Sequence, residues 1–119
     1  MAKYNVLQEK SFVFALRIVK LYKYLCEEKK EFVLSKQILR SGTSIGANIE
    51  EAIGGQSDKD FLSKLEISYK EARETNYWLR LLFASDYLTK EQADSLIADS
   101  EELKKILAKI IITLKNKLK

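Results

Sequence analysis

The sequence predicts an all-α protein, an up-down antiparallel four-helix bundle folded as a single domain over residues 1–119. Three observations carry this. The 119 residues contain no proline and only four glycines, so nothing breaks long helices and the turn residues of a dense β fold are missing. Apolar residues recur at alternating steps of three and four, and alternation by two is nowhere sustained. Start signals at Ser35, Ser57 and Thr89 cut the chain into four segments, and the linkers between them are short enough to force antiparallel neighbours. Caps and periodicity together place the helices at about 6–30, 36–54, 58–85 and 90–117.

The first helix gathers Leu7, Phe14, Ile18, Leu21 and Leu25 on one broad face, with Val19 and Tyr22 beside them. Val13, Leu16 and Tyr24 fall on the remaining side, among Arg17, Lys20 and Lys23. The second helix follows Ser35, carries a seam of Ile38, Gly42, Ile45, Ile49 and Ala52, and stops at Gly54-Gly55, where glycine tolerates the backbone of a helix end.

Ser57 caps the third helix, with Asp58 and Asp60 in its first turn, where acids favour the helix dipole. Its seam runs Phe61, Leu65, Ser68, Ala72, Thr75, Leu79 and Leu82. A second stripe, Ile67, Glu71, Glu74, Trp78 and Leu81, lies away from that seam. One bundle seam needs an apolar arc of only about 100°. The surplus on the first and third helices is therefore covered either by the fourth helix or by other subunits. The fourth helix opens on a capping box, Thr89-Lys90-Glu91-Gln92, and its apolar face gathers Leu103, Ile106, Leu107, Ile110, Ile111, Leu114 and Leu118.

Composition narrows the chemistry. Histidine is absent, which removes the commonest metal ligand and the usual general base near neutral pH. The single cysteine, Cys26, allows no internal disulfide and suits a reducing cytoplasm; it lies on the apolar side of the first helix, where a thiol is inert. Glu50, Glu51, Glu66, Glu71 and Glu74 stand mid-helix, where a ferritin-like di-metal site places its ligands, but that site also needs histidines. The carboxylates are better read as ion-pair partners: hairpin arithmetic puts Arg40 level with Glu71 or Glu74. The segment Arg40–Glu51 holds two glycines, three hydroxyl residues and an asparagine. With no preceding strand and no Gly-Lys-Ser/Thr it makes a poor phosphate loop, and its glycines are better read as points of close helix approach. No catalytic residue, cofactor or metal is expected.

The run Phe12–Leu16 stops at Arg17, far short of the ~20 apolar residues of a membrane span, and no leader cleavage site follows it. A cytoplasmic protein with no membrane contact is expected. The charge balance, 21 basic against 17 acidic residues for a net +4, permits nucleic-acid contact without demanding it. Lys104, Lys105, Lys109, Lys115 and Lys119 share one face of the fourth helix, and no acid follows Glu102. Arg17, Lys20 and Lys23 add charge on the neighbouring first helix. The face is either a solvated surface or a phosphate-tracking patch. No aromatic residue interleaves the lysines, so base stacking is not expected.

The block "RSGTSIGANIEE" from Arg40 to Glu51, followed by "FLSKLEISYKEARETNYWLRLL" from Phe61 to Leu82, resembles the small four-helix-bundle proteins named for intervening sequences in bacterial 23S ribosomal RNA genes, once labelled S23 ribosomal proteins. The family pattern includes Arg40, Ser44, Ile45, Asn48, Ile49, Glu51, Phe61, Leu65, Glu71, Glu74 and Trp78. The chain departs from it at Gly46, where proline is frequent, and at Ala52, where glycine is usual. The resemblance implies no enzymatic activity, and homo-oligomers that are commonly rings of five. It also implies kinship with the accessory variability proteins of diversity-generating retroelements, basic pentamers that engage nucleic acid and a reverse transcriptase. The expectation is a non-enzymatic, self-associating scaffold that binds RNA or DNA through basic helix faces; the alternative is a protein–protein interaction module that binds no nucleic acid.

Overall fold

The structure, a computed structural model, describes residues 4–119. Four helices account for nearly all of them: α1 (Asn5–Glu27), α2 (Leu34–Ile53), α3 (Asp58–Ala84) and α4 (Lys90–Lys117). They run up, down, up and down in a bundle of 47 × 22 × 20 Å. The α1–α2, α2–α3 and α3–α4 seams are extensive, whereas α1 meets α4 along a thinner one. α1 and α3 sit diagonally, without close backbone approach. The seams read from the periodicity form the core: Phe14, Ile18, Leu25, Ile38, Ile45, Ile49, Leu65, Leu79, Leu82 and Leu107 are all fully buried.

Two of the expected caps are present. The Ser57 hydroxyl accepts the Asp60 amide at 3.1 Å. At the start of α4, the Gln92 amide donates to Thr89 Oγ1 at 3.2 Å and the Thr89 amide to Gln92 Oε1 at 2.9 Å, closing a capping box. The third expectation is corrected. Ser35 does not cap α2; it lies inside the helix, fully buried. The cap is the carboxylate of Glu31, which accepts the amides of Val33, Leu34 and Ser35 at 3.1, 3.0 and 2.7 Å. The same contacts explain why α1 stops at Glu27 rather than near residue 30. Lys30 takes a left-handed conformation, φ 53°, and the Glu31 amide turns back to the Leu25 carbonyl at 2.9 Å. Burial alone would push the Glu31 carboxyl upward, but the amides of Leu34, Ser35 and Val33, with the Ser35 hydroxyl, outweigh it and hold the group below its ordinary value.

Close approach occurs at the glycine the sequence placed on the seam. A β-carbon at Gly42 would stand 2.7 Å from Ile18 Cγ1, whereas one at Gly46 would meet the Ser11 hydroxyl at 3.3 Å. Polar groups buried between α2 and α3 are satisfied within the protein. Ser68 donates to the Ile45 carbonyl at 2.8 Å, and Thr75 Oγ1 lies 3.0 Å from Ser41 Oγ. Among the described residues, no buried side-chain nitrogen or oxygen lacks a partner. Cys26 is half-buried rather than sunk in the core, its Sγ 3.8 Å from Ser35 Oγ.

Candidate nucleic-acid interface

The helical periodicity that sends Leu103, Leu107, Ile111 and Leu114 inward leaves the lysines of α4 on its flanks and outer face. The flanks meet acids from neighbouring helices. Lys115 Nζ lies 3.2 Å from Glu66 of α3, while Lys104, half-buried, lies 3.2 Å from Glu101, one turn back on α4 itself. Lys117, outside the expected set, pairs with Asp58 at 3.1 Å. The lack of acids after Glu102 in sequence therefore does not leave the whole stripe unneutralised, because α3 supplies two of the partners. Lys105, Lys109 and Lys119 are exposed with no carboxylate within 4 Å among the described residues.

The basic residues of α1 do not extend this patch. Arg17 is tied to α4 through Asp99 at 2.5 Å and the Ser95 hydroxyl at 2.9 Å. Lys20 lines a shallow cleft with Leu88, Gln92 and Leu96, beside the first turns of α4, and Lys23 stands nearly one turn farther along α1. With about 1.5 Å of rise per residue, Lys119 lies about 30 Å along the axis from the level of Asp99 and Arg17. Between the two basic areas Lys10 pairs with Glu102 at 3.0 Å. The joint surface expected of α1 and α4 is thus two separate areas: Lys105 and Lys109 on α4 with Lys119 just past its end, and Lys20 with Lys23 on α1.

The family-pattern residues cluster on the other side of the bundle. Arg40 Nη1 lies 3.2 Å from Glu71, and its Nη2 contacts Glu74. Glu74 also accepts the Trp78 indole N–H at 2.8 Å. The pairing inferred from hairpin arithmetic is present, and both carboxylates share the guanidinium. The second stripe of α3 is therefore not covered by α4, which lies along the opposite flank through Asn76–Glu101 and Glu66–Lys115 contacts. It is the edge over which Arg40 of α2 lies. Ser44 and Asn48 stand apart from this cluster and bond each other within α2, with Asn48 Nδ2 2.9 Å from the Ser44 carbonyl. Glu51 reaches Lys64 at 3.4 Å.

A cleft of about 660 Å³ opens at the end of the bundle among Tyr4, Ile53, Phe61, Ile110 and Leu114. Its acid, Asp58, is occupied by Lys117. Among the described residues no three metal-capable side chains converge, and no helix is long and apolar enough to cross a membrane.

Comparison with known proteins agrees with the fold. No curated protein matches the chain significantly. A crystal structure of a protein of unknown function from the S23 ribosomal protein family of Bacteroides thetaiotaomicron is similar at 60% identity. It covers 92% of this chain and 97% of its own, with a TM-score of 0.90. The model of the 23S rRNA-intervening sequence protein family matches residues 3–109. With that match spanning both the Arg40–Glu51 block and the Glu71–Glu74–Trp78 edge, the chain belongs to the 23S rRNA-intervening sequence protein family.

Proposed function

We propose that the protein is a non-enzymatic scaffold that self-associates, in a ring of five as the resemblance implies, and holds RNA or DNA backbones on the C-terminal half of α4. The observation that supports this reading is the trio of Lys105 and Lys109 on α4 and Lys119 just past its end, exposed and without acidic partners among the described residues. Ammonium groups of this kind contact phosphates and read no base edges, so binding is largely independent of sequence. A ring repeats the trio in every subunit, and several weak contacts then act together. By analogy with the accessory variability proteins, a reverse transcriptase is the protein partner to examine first.

The test is a titration of fluorescent RNA and DNA at two salt concentrations. Binding that weakens steeply with salt supports the reading, since each neutralised phosphate releases counterions. Absence of binding at low salt overturns it. The alternative, an interaction module without nucleic acid, draws on a different observation: Phe12, Val13 and Leu16 stand outside the core on α1.

A further inference from the structure

The cleft at the end of the bundle lies beside the free lysines of α4. One wall is α4 itself, which lines it with Ile110 and Leu114 and sets Lys109, Thr113 and Lys117 along it. The opposite wall is a ring pair. α1 and α3 are diagonal in the bundle, yet Tyr4, just before α1, meets Phe61 of α3 at this end. Their ring centroids are 5.1 Å apart and the planes tilt by 45°. At that separation the rings touch, so a flat group rests against the pair rather than between its members. The volume, about 660 Å³, falls within the range of about 300–1,000 Å³ usual for small-molecule sites. A nucleobase with its sugar fits such a space.

The charged residues of the lining are Asp58, Lys109 and Lys117. Asp58 and Lys117 pair at 3.1 Å and cancel. Lys109 is left over, exposed and with no carboxylate within 4 Å among the described residues. Glu51 and Asp60 line the adjoining groove with Lys64, which pairs with Glu51 at 3.4 Å. Thr113 directs its hydroxyl to the Lys109 carbonyl at 3.0 Å, and Ser57 caps α3. The cleft therefore offers apolar faces more than partners for base edges.

Lys105 stands one turn before Lys109 on the same row of α4. The two are about 6 Å apart along the axis, close to the step between successive phosphates of an extended single strand. A backbone that follows Lys105 to Lys109 arrives at the mouth of the cleft. α4 has no aromatic residue among its lysines; the fold brings two to them from α3 and the start of α1. We propose that the cleft takes an unpaired base of a strand whose phosphates lie on Lys105 and Lys109, the base resting against Phe61, Tyr4 and Ile110. The proposal rests on the phosphate reading above and deepens it. It makes single strands the ligand, because a base that is paired and stacked in a duplex cannot enter the cleft. Every base has a π-face, so the contact keeps binding tolerant of sequence.

Fluorescence anisotropy at low salt tests it with two DNA single strands of equal length and charge, one complete and one abasic through its middle. The complete strand is expected to bind about tenfold more tightly, as for one base held on an aromatic ring. Phe61→Leu keeps an apolar side chain on α3 and the helical circular dichroism. It is expected to weaken the complete strand by a similar factor and to leave the abasic strand unchanged. Equal binding of the two strands by the unaltered protein overturns the proposal, whatever the variant does. So does a Phe61→Leu effect of the same size on both strands. In either case, binding that is lost with Lys105→Glu and Lys109→Glu leaves the phosphate reading standing. Absence of binding by both strands overturns the two together.

Discussion

Ile18 of α1 lies so close over Gly42 of α2 that a β-carbon on the glycine would stand 2.7 Å from its Cγ1 and 2.8 Å from its Cγ2. Ile18 is fully buried and branched at Cβ, so it has little room to turn away. Gly42→Ala forces overpacking that costs about 1–3 kcal/mol, offset by about 1 kcal/mol of helix propensity. A net loss of stability is expected in urea denaturation. At Gly46→Ala the nearest atoms are the Ser11 hydroxyl at 3.3 Å and the Ser11 carbonyl at 3.4 Å, and the change is expected to be neutral or stabilising. Equal losses at the two positions would mean that Ile18 yields as easily as a serine hydroxyl.

Glu31 ties the turn between α1 and α2 to the start of α2. Glu31→Ala removes the acceptor of three amides and is expected to cost about 2 kcal/mol, as for a lost cap. Glu31→Gln keeps one acceptor oxygen and costs less.

The charge of Glu31 adds a pH dependence with a definite sign. Its carboxyl is held below the ordinary value in the folded protein, so its contribution is full above the unfolded value of about 4.3. The contribution is lost as the pH falls through the folded one. Thermal melts from neutral pH down to acid are expected to show a larger loss for the wild type than for Glu31→Gln. A parallel decline of the two proteins would remove Glu31 from acid stability.

Arg40 separates two carboxylates on adjacent turns of α3. The guanidinium is half exposed, with side-chain exposure of 51%, so the loss in Arg40→Met is expected to be only about 1 kcal/mol. Part of that loss is repulsion between Glu71 and Glu74, and Glu71→Gln should recover it in the Arg40→Met background while lowering stability on its own. A double-mutant cycle measures the coupling; additive effects would mean that the three charges act independently.

The lysines of α4 divide into two classes. Lys105→Glu with Lys109→Glu is expected to reduce both nucleic-acid affinity and its salt dependence, by about one unit of slope for each phosphate no longer neutralised, without lowering stability. Lys115→Ala breaks the pair with Glu66 and is expected to shift stability by a few tenths of a kcal/mol. The reverse pattern, with Lys105 and Lys109 silent in binding, would return this face to the solvent.

Helix number, helix type and order, the caps at Ser57 and Thr89, and the seams through Ile45, Ile49, Leu65 and Leu79 were all legible in the sequence. Each is encoded within a turn or two, by hydroxyls before a helical period and by apolar residues at steps of three and four. Even Arg40 with Glu71 and Glu74 could be read, because a short hairpin fixes the level of one helix against the next. What only the tertiary structure decided lies across the helices. Serine is a favoured cap, which singles out Ser35 in the sequence, yet the turn after α1 carries Glu31 into reach of three amides and Ser35 into the core. The lysines of α4 look uniform along the chain. The rotation of α3 against α4 brings Glu66 to Lys115 and Asp58 to Lys117, and leaves Lys105 and Lys109 free. Nor does the chain order reveal that Lys20 and Lys119 lie at opposite ends of the bundle. Periodicity determines which side of a helix is buried; the pairing of charges depends on helix rotation and level, which are set by how Ile18 and its neighbours pack.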